Sequence, residues 1–283
     1  MLRIAIQSKG RLYEETIRLL EESGVRLNKN KRSLLVPASG FPAELLFLRD
    51  DDIPQSVAKG IADAGIIGEN EYVEKGSGAT LVKRLGFSRC RLSLAIPKDA
   101  EYESPQWFNG KTIATSYPSI LADYLQKHQI TAEINVISGS VEISPRIGIA
   151  DAIFDIVSSG STLLSNQLRE VETVMHSEAL LISSPNLGKE KEDVLGQLVF
   201  RFNAVLAAEG KKYVLLNAPE AAVEEIIKLL PGMKSPTVTP LADKQWVAVQ
   251  SVIDENRFWD IIGKLKTLGA EDILILPIEK MIV

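Results

Sequence analysis

The sequence contains very few of the residues that build disulfides and metal sites. Cys90 is the one cysteine among 283 residues, and the two histidines, His128 and His176, lie far apart along the chain. A lone cysteine cannot form an internal disulfide, which is typical of proteins kept in a reducing compartment. Because structural zinc needs a full set of cysteine or histidine ligands, we expect no such site.

Long apolar runs and an excess of positive charge are also missing. No stretch approaches the ~18 apolar residues that a membrane helix needs, and the first residues, MLRIAIQSKGRL, lack the apolar core of a signal peptide. We therefore expect a cytoplasmic protein with no membrane partner. The formal net charge of −5 argues against a general nucleic-acid-binding surface. Phosphorylated substrates would need local cations, backbone amides and a metal ion.

Strand-like and helix-like segments alternate over about the first 210 residues. The apolar run LRIAIQ at 2–7 precedes a helical pattern at 11–23, and LLFLR at 45–49 precedes the short helical stretch IPQSVAKG. This alternation predicts a largely parallel sheet. The stretch GIADA occurs at 60–64 and again at 148–152. The repeat favours two similar α/β lobes with a cleft between them, although so short a match can also arise by chance.

The segment after Gly210 has a different pattern. Strand-like and helix-like runs follow one another there in the order β-α-β-β-α-β, which is that of the ferredoxin-like split motif. By fold analogy alone, such a small domain is commonly a regulatory or assembly module. We therefore divide the chain into a first lobe (1–88 and 178–209), a second lobe (89–177) and a C-terminal domain (210–283).

The stretch ADAIFDIVSSGSTL at 150–163 predicts a phosphate site. Val157 should end a buried strand, SSGST should form a turn, and a helix should follow. Backbone N–H groups in such a turn and at the helix N-terminus bind phosphate readily. The serine and threonine hydroxyls add donors, and Gly160 permits close approach. A serine-rich helix cap without a ligand is the alternative.

Two acids precede that turn. Because Asp151 and Asp155 are four residues apart, both carboxylates should point to one face of a strand. Acids would repel a phosphate but suit sugar hydroxyls or a bridging magnesium ion. A phosphorylated ribose would therefore satisfy both the acids and the turn, whereas a solvated strand residue is the alternative for Asp155.

The segment ISGSVEISPRIGIADAIFDIVSSGSTLLSNQL at 137–168 resembles the signature of the ATP phosphoribosyltransferase family. The similarity extends to QSKGRL at 7–12 and to RDDDIPQSVAKGIADAGIIGENEY at 49–72. SPTVTPLADKQWVAVQSVI at 235–253 resembles the C-terminal regulatory domain of the family's long form. The resemblance implies an α/β fold with two lobes like type II periplasmic binding proteins, followed by a ferredoxin-like (ACT-like) regulatory domain.

The resemblance also implies a reaction and its regulation. In this family N1 of the adenine of ATP attacks the anomeric carbon of phosphoribosyl pyrophosphate (PRPP). Pyrophosphate leaves, and N1-(5-phosphoribosyl)-ATP forms in the first step of histidine biosynthesis. Magnesium is the implied cofactor, L-histidine the implied feedback inhibitor, and a homo-oligomer, exchanging between dimer and hexamer, the implied assembly.

The same resemblance assigns roles to individual residues. The turn would hold the 5-phosphate of PRPP, and the two acids would contact its ribose. The implied PRPP-binding residues are Asp151, Ala152, Asp155, Ser158, Ser159, Gly160, Ser161 and Thr162. The implied ATP-binding residues are Lys9, Gly10, Arg11, Arg32, Arg49 and Glu142. The implied histidine-binding residues are Ser235, Thr237, Thr239, Leu241 and Ala270.

The chemistry of the reaction selects Arg49, Asp151 and Asp155 as the candidate catalytic residues. Attack at an anomeric carbon leaves negative charge on the departing pyrophosphate, and cations placed there stabilise the transition state. Arg49 is the first choice for that role, unless it forms a surface ion pair with the acids at 50–52. The other basic candidates could be solvated loop charges, and Glu142 could simply begin a helix. The magnesium ligands stay unassigned.

Two other functions fit the two-lobe pattern. A non-catalytic small-molecule sensor could share the fold, but it would need no arginine to handle pyrophosphate. A catalytically silent regulatory paralogue is the second alternative. The presence of both the catalytic blocks and the C-terminal domain in one chain argues against it.

Overall fold

The computed structural model describes residues 1–27, 33–75 and 78–283. These residues form two compact units, Met1–Gly196 and Gln197–Val283. The described part of the chain contains no helix of the length and apolarity required to cross a membrane.

The larger unit contains two sheets. Its strands are β1 (Leu2–Gln7), β2 (Arg26–Leu27), β3 (Leu35–Ser39), β4 (Ala43–Leu48), β5 (Ala64–Gly68), β6 (Thr80–Arg84), β7 (Cys90–Pro97), β8 (Thr112–Thr115), β9 (Glu133–Val136), β10 (Ala152–Val157), β11 (Leu168–Ser177) and β12 (Ala179–Ser183). The α-helices that begin in it are α1 (Arg11–Glu22), α2 (Ile53–Ala58), α3 (Glu69–Glu74), α4 (Pro118–Lys127), α5 (Ser161–Ser165) and α6 (Lys189–Ala208).

The first sheet has the order β2-β3-β4-β1-β5-β12-β6 and the second has the order β11-β7-β10-β8-β9. We call the two lobes built on them the first and the second lobe. Strands β4, β1 and β5 are parallel, as are β10, β8 and β9. The neighbours β12 and β7 pair antiparallel with them. The prediction of parallel pairing is thus confirmed for the centre of each sheet, and antiparallel strands flank that centre where the chain passes between lobes.

The chain passes between the lobes twice. It leaves the first sheet after β6 to enter β7, and it returns from β11 to β12. The two crossings are hydrogen-bonded to each other, because the Leu85 N–H donates to the Ala179 carbonyl at 2.9 Å and the Ala179 N–H donates to the Phe87 carbonyl at 2.9 Å. The crossings therefore form a short two-stranded connection.

Each lobe has its own apolar core. In the first lobe, β1 buries Leu2, Ile4 and Ile6 completely, which explains its apolar sequence. In the second lobe, Phe154 of β10 and Phe108 are fully buried. Phe154 therefore faces the interior, and its neighbour in sequence, Asp155, faces the other way.

The smaller unit repeats the predicted order of elements. After residues of α6 it contains β13 (Lys211–Pro219), α7 (Val223–Leu229), β14 (Thr237–Pro240), β15 (Trp246–Asp254), α8 (Glu255–Thr267) and β16 (Glu271–Pro277). The sheet order is β14-β15-β13-β16, with antiparallel pairing throughout. Residues of β13, β15 and α8, including Val214, Val249 and Phe258, form the core. The sequence pattern after Gly210 is thereby confirmed at the level of secondary structure.

A glycine contact in the first lobe yields a test of the fold. Gly40 has φ +81°, and a Cβ built on it would lie 2.6 Å from the carbonyl oxygen of Gly24. Gly110 has φ +72° with nothing within 4 Å of such a Cβ. Both alanine variants suffer backbone strain, but only Gly40→Ala adds a backbone clash. We expect Gly40→Ala to lower the free energy of unfolding by ~1–3 kcal/mol more than Gly110→Ala.

Urea unfolding of the full chain measures this difference. Equal losses for the two variants would show that the turn after β3 can move away from Gly24.

Candidate active site

The turn Ser158–Thr162 has the geometry expected of a phosphate cradle. Strand β10 ends at Val157, and helix α5 begins at Ser161 with Gly160 at its N-cap in the left-handed region, φ 80°. The Ser159 and Ser161 hydroxyl oxygens are 2.9 Å apart. The predicted strand–turn–helix is thereby confirmed. A Cβ on Gly160 would meet nothing, so glycine is needed there for its conformation.

The donors of this turn point to an open site. Among the described residues, the backbone N–H groups of Ser159, Gly160 and Thr162 have no acceptor. The first N–H groups of a helix lack intrahelical partners and carry partial positive charge. The hydroxyl-bearing residues around them are exposed. The turn can therefore accept an anion without breaking a protein hydrogen bond to its backbone.

Two arginines contact the first residue of the turn. Arg11, at the start of α1 in the first lobe, donates from Nη1 to the Ser158 hydroxyl oxygen at 3.1 Å. Arg91, on β7, donates from Nη1 to the Ser158 carbonyl at 3.3 Å and forms an ion pair with Glu170. That pairing lowers the pKa of Glu170 to about 2. Arg11 was predicted, whereas Arg91 was missed because it stands inside an ordinary strand, FSRCRLSLAIP.

Asp155 lies close to the turn on β10. Burial raises the pKa of its carboxyl to about 6, the Ile156 N–H bond opposes this rise, and the charge of Glu142 adds to it. The Ile156 N–H donates to Asp155 Oδ1 at 2.8 Å. Glu142 belongs to a single helical turn, Val141–Ile143. The structure thus brings the predicted acids Asp155 and Glu142 into one electrostatic environment.

Asp151 lies at the other end of β10 from the turn. β10 begins at Ala152, so Asp151 lies ~23 Å from Ser158 along an extended strand. Its Oδ2 accepts the Thr112 N–H at 2.9 Å, and Lys111 Nζ lies 3.8 Å from Oδ1. Ala152, also assigned to PRPP, is fully buried. The assignment of both residues to PRPP stays a prediction.

The predicted cations of the first lobe lie at the ends of two adjacent parallel strands. Lys9 and Gly10 follow β1, and Arg49 follows β4. Carboxyl ends of parallel strands meet at one edge of a sheet, where α/β proteins bind ligands. Lys9 and Arg49 are exposed, and the side chain of neither makes a hydrogen bond or ion pair with another described residue. The alternative pairing of Arg49 with the acids at 50–52 is therefore not observed. Arg32 lies outside the described residues.

A buried polar cluster between the lobes was not singled out from the sequence. Asn70 and Glu71 of α3 and Tyr117 of the second lobe are each less than one-tenth exposed. Asn70 Nδ2 donates to Tyr117 Oη at 3.1 Å. Burial raises the pKa of Glu71, and the charge of Asp50 adds to the rise. Burial also raises the pKa of Tyr117, with further contributions from Glu71 and Asp155. The motif GENEY lay within the family-like block, but nothing local marked these residues as partners.

The donor set near the turn suits a magnesium ion only in combination with a substrate. The described residues contain no group of three His, Cys, Asp or Glu side chains able to hold a metal. Magnesium usually keeps several waters and is bound by one or two carboxylates together with substrate phosphates. Asp155 and Glu142, which repel each other's charge, fit an ion of that kind.

The residues predicted to bind L-histidine lie in the smaller unit, and they differ in exposure and in position. Thr237 and Thr239 lie on the exposed edge strand β14, after the exposed Ser235, whereas Ala270 is buried. Leu241 lines a cavity of about 470 Å³. The cavity is lined by Asn217, Leu241, Ala242, Asp243, Trp246, Glu271 and Asp272. It is therefore acidic, with one aromatic wall, and only Leu241 of the predicted set contributes to it.

The larger unit is a two-lobed α/β fold in which Arg11 of the first lobe contacts the turn that follows β10 in the second lobe. The larger fold is shared with a periplasmic binding protein from Brucella ovis, at a TM-score of 0.50 and 14% identity over 81% of this chain and 73% of that one. A complex of ATP phosphoribosyl transferase (HisG:HisZ) from Thermotoga maritima matches with a TM-score of 0.62 and 26% identity, covering 71% of this chain and 96% of that one.

The sequence comparisons identify the family. The family model "ATP phosphoribosyltransferase" matches residues 49–204, and "HisG, C-terminal domain" matches residues 208–280. ATP phosphoribosyltransferases from Parabacteroides distasonis and Bacteroides thetaiotaomicron are 71% and 66% identical over 283 residues, all of this chain and of each relative. The chain belongs to the ATP phosphoribosyltransferase family, in its long form. Its reaction transfers the phosphoribosyl group of PRPP to N1 of the adenine of ATP and releases pyrophosphate. The non-catalytic sensor is not favoured.

The raised pKa of Asp155 predicts how stability depends on pH. Its pKa is about 6 in the folded chain, against ~3.9 for an unperturbed aspartate. The contribution of Asp155 to the free energy of unfolding is fully present below its pKa in the unfolded chain, and it is lost as pH rises through 6. Asp155→Asn cannot ionise, so we expect it to gain roughly 1–2 kcal/mol over the natural chain between pH 4 and pH 8.

Urea unfolding at several pH values, without substrates, measures this gain. Asp123→Asn, at an exposed position of α4, serves as the control and should follow the natural chain. A constant difference between Asp155→Asn and the natural chain across the range would contradict the assignment.

Proposed function

We propose that PRPP and ATP bind in the cleft between the two lobes, with the 5-phosphate of PRPP in the turn Ser158–Thr162. The observation that carries this proposal is the set of backbone donors without acceptors in the turn, at Ser159, Gly160 and Thr162. Arg11 reaches Ser158 from the opposite lobe, which supports a ligand shared by both lobes.

We propose that the first lobe comprises residues 1–88 and 178–209 and the second lobe residues 89–177, since the strands of each sheet fall within these limits.

Asp155 is the residue proposed to contact the ribose. It is half-buried next to the turn, so a sugar whose 5-phosphate fills the turn would present its hydroxyls to this carboxylate. Hydroxyl donors would stabilise the ionised form of Asp155 and offset the burial that raises its pKa. Asp151 is left out of the proposed ribose contacts because its carboxylate is held at the other edge of the sheet.

The first lobe is proposed to hold the charged ends of the substrates. Arg49 and Lys9 are exposed cations without protein partners among the described residues, so they can bind phosphates without first breaking an ion pair. As the bond from the anomeric carbon to pyrophosphate breaks, negative charge grows on the leaving oxygen. Arg49 would stabilise that charge more strongly in the transition state than in the ground state.

The nucleophile needs positioning rather than deprotonation. N1 of adenine carries a lone pair at neutral pH, so its attack on the anomeric carbon requires no general base. The chain's contribution is to hold adenine and ribose in line within a closed cleft. Lys9, Gly10 and Arg11 are proposed to hold the nucleotide, since they occupy the turn between β1 and α1 with Gly10 at φ 97°.

Magnesium is proposed as the cofactor, and Glu142 with Asp155 would hold it together with the substrate. When bound, the ion would neutralise charge on the pyrophosphate of PRPP.

We further propose that the protein is cytoplasmic and forms a homo-oligomer. The Thermotoga maritima relative is a complex of HisG with HisZ, whereas this chain carries its own C-terminal domain.

The C-terminal unit is proposed to be a ferredoxin-like (ACT-like) domain that binds L-histidine as feedback inhibitor. The β-α-β-β-α-β order and the sheet order β14-β15-β13-β16 support the ferredoxin-like assignment. The cavity beside Leu241 supports the ligand. Its carboxylates, from Asp243, Glu271 and Asp272, suit the ammonium group of an amino acid, and Trp246 suits an aromatic ring.

Arg49→Gln tests the proposed leaving-group contact. Loss of a cation that acts mainly in the transition state should reduce kcat/KM for pyrophosphate release about 100-fold or more. The assay contains ATP, PRPP and magnesium. Arg257→Gln, at an exposed position of α8, is the matched control and should retain the natural rate. Activity of Arg49→Gln within twofold of the control would remove Arg49 from the site.

Asp272→Asn tests the proposed histidine cavity. Asp272 has φ 47°, which asparagine tolerates well, so the variant should fold. Loss of one carboxylate should raise the histidine concentration needed for half-inhibition by about tenfold, with pyrophosphate release unchanged when histidine is absent. Unchanged inhibition would place the inhibitor elsewhere, and no inhibition of the natural chain would overturn the regulatory proposal.

A further inference from the structure

Helix α4 of the second lobe begins without a cap from its own lobe. Tyr117 occupies the N-cap position and makes no side-chain capping bond, and Pro118 has no N–H group. The next two backbone donors are Ser119 and Ile120. They donate to the carboxylate of Glu74, to Oε1 at 2.9 Å and to Oε2 at 3.0 Å. Glu74 is the last residue of α3, which belongs to the first lobe. A carboxylate of one lobe therefore caps a helix of the other.

The position of Glu74 along α3 makes its contact sensitive to rotation of one lobe relative to the other. Asn70, at the start of α3, binds Ser177, which ends β11 at a crossing between the lobes. Asn70 therefore lies beside the connection about which the lobes can rotate. Glu74 lies four residues further along, ~6 Å away by helix rise. Because displacement grows with distance from a rotation axis, opening of the cleft would strain the Glu74 contact more than the contacts of Asn70.

The contact is also chemically suited to hold the cleft closed. A carboxylate at a helix N-terminus interacts favourably with the helix dipole, and charge-assisted hydrogen bonds are stronger than neutral ones. Opening would leave the N–H groups of Ser119 and Ile120 to water. Another contact across the cleft, from Arg11 to Ser158, involves a turn that is proposed to receive substrate. Glu74 therefore favours closure whether or not that turn is filled.

We propose that Glu74 is a positioning residue that sets the population of the closed cleft, and thereby the apparent affinity for both substrates. The effect on affinity rests on the proposed binding of PRPP and ATP between the lobes. A protein whose binding-competent state is only partly populated binds each ligand more weakly, in proportion to that population. Substrates at saturation would restore closure. The loss should therefore appear in KM for both substrates and much less in kcat.

Steady-state pyrophosphate release by Glu74→Ala and Glu74→Gln tests the kinetic part. We expect KM for PRPP and KM for ATP to rise together, by about tenfold in Glu74→Ala, with kcat within about twofold. Glu74→Gln keeps one acceptor oxygen and should lie between Glu74→Ala and the natural chain. Asp123→Asn, on the exposed face of α4, removes a nearby charge without removing the contact and should leave both constants unchanged.

The sign of the change separates this proposal from simple charge removal. We call the contact of the Glu74 carboxylate with the Ser119 and Ile120 N–H groups the clasp. Deleting a negative charge near anionic substrates would by itself lower KM, whereas loss of the clasp raises KM. A lower or unchanged KM for both substrates would overturn the proposal. So would a change confined to one substrate, which would indicate direct contact, or a fall in thermal stability without any change in KM.

Small-angle X-ray scattering of the full-length protein gives a readout independent of activity. Unliganded Glu74→Ala should have a larger radius of gyration than the natural chain, at equal oligomeric state, and should return to the natural value with saturating PRPP. An unchanged radius would overturn the clasp. If the radius changes as expected while Asp155 and Arg49 variants bind and turn over PRPP normally, the clasp stands and the proposed substrate placement fails instead.

Discussion

The hydrogen-bonded pair of chain crossings between the lobes is the constraint on which the site depends. Leu85 and Phe87 on one crossing bind Ala179 on the other, so the two sheets are joined by a narrow connection. The start of α1, which follows β1 in the first lobe, then meets the turn after β10, as the bond from Arg11 to Ser158 shows. The turn thus has an arginine neighbour from each lobe, Arg11 and Arg91.

The larger unit places acids close together although both substrates are anions. Asp155 and Glu71 have raised pKa values because they are buried near other carboxyls, Glu142 and Asp50 respectively. Such crowding costs stability in the empty protein, and a ligand with hydroxyl donors or a bound cation would relieve it. In the proposed site, negative charge would select for substrates that bring magnesium and a sugar with them, while the backbone donors of the turn would bind the phosphate.

Local sequence predicted local structure well and long-range placement poorly. The strand, turn and helix around Gly160 were predicted because each depends on a few adjacent residues. The sequence could not show that the Asp151 carboxylate accepts the Thr112 N–H, because the two residues are 39 positions apart. Asn70 and Tyr117 are 47 residues apart, and no periodicity in either segment could reveal that they touch.

The sequence by itself determined the alternation of strands and helices, the split pattern of the C-terminal unit and the hydroxyl-rich turn, because hydrophobic periodicity and turn chemistry are encoded over short windows. The family-like blocks also came from sequence alone. Only the tertiary structure decided which acid lies beside the turn, that Arg91 supports it, and that Glu74 caps a helix of the other lobe. These contacts depend on how the two sheets are placed relative to each other. That placement is determined by interactions among residues distant in the chain.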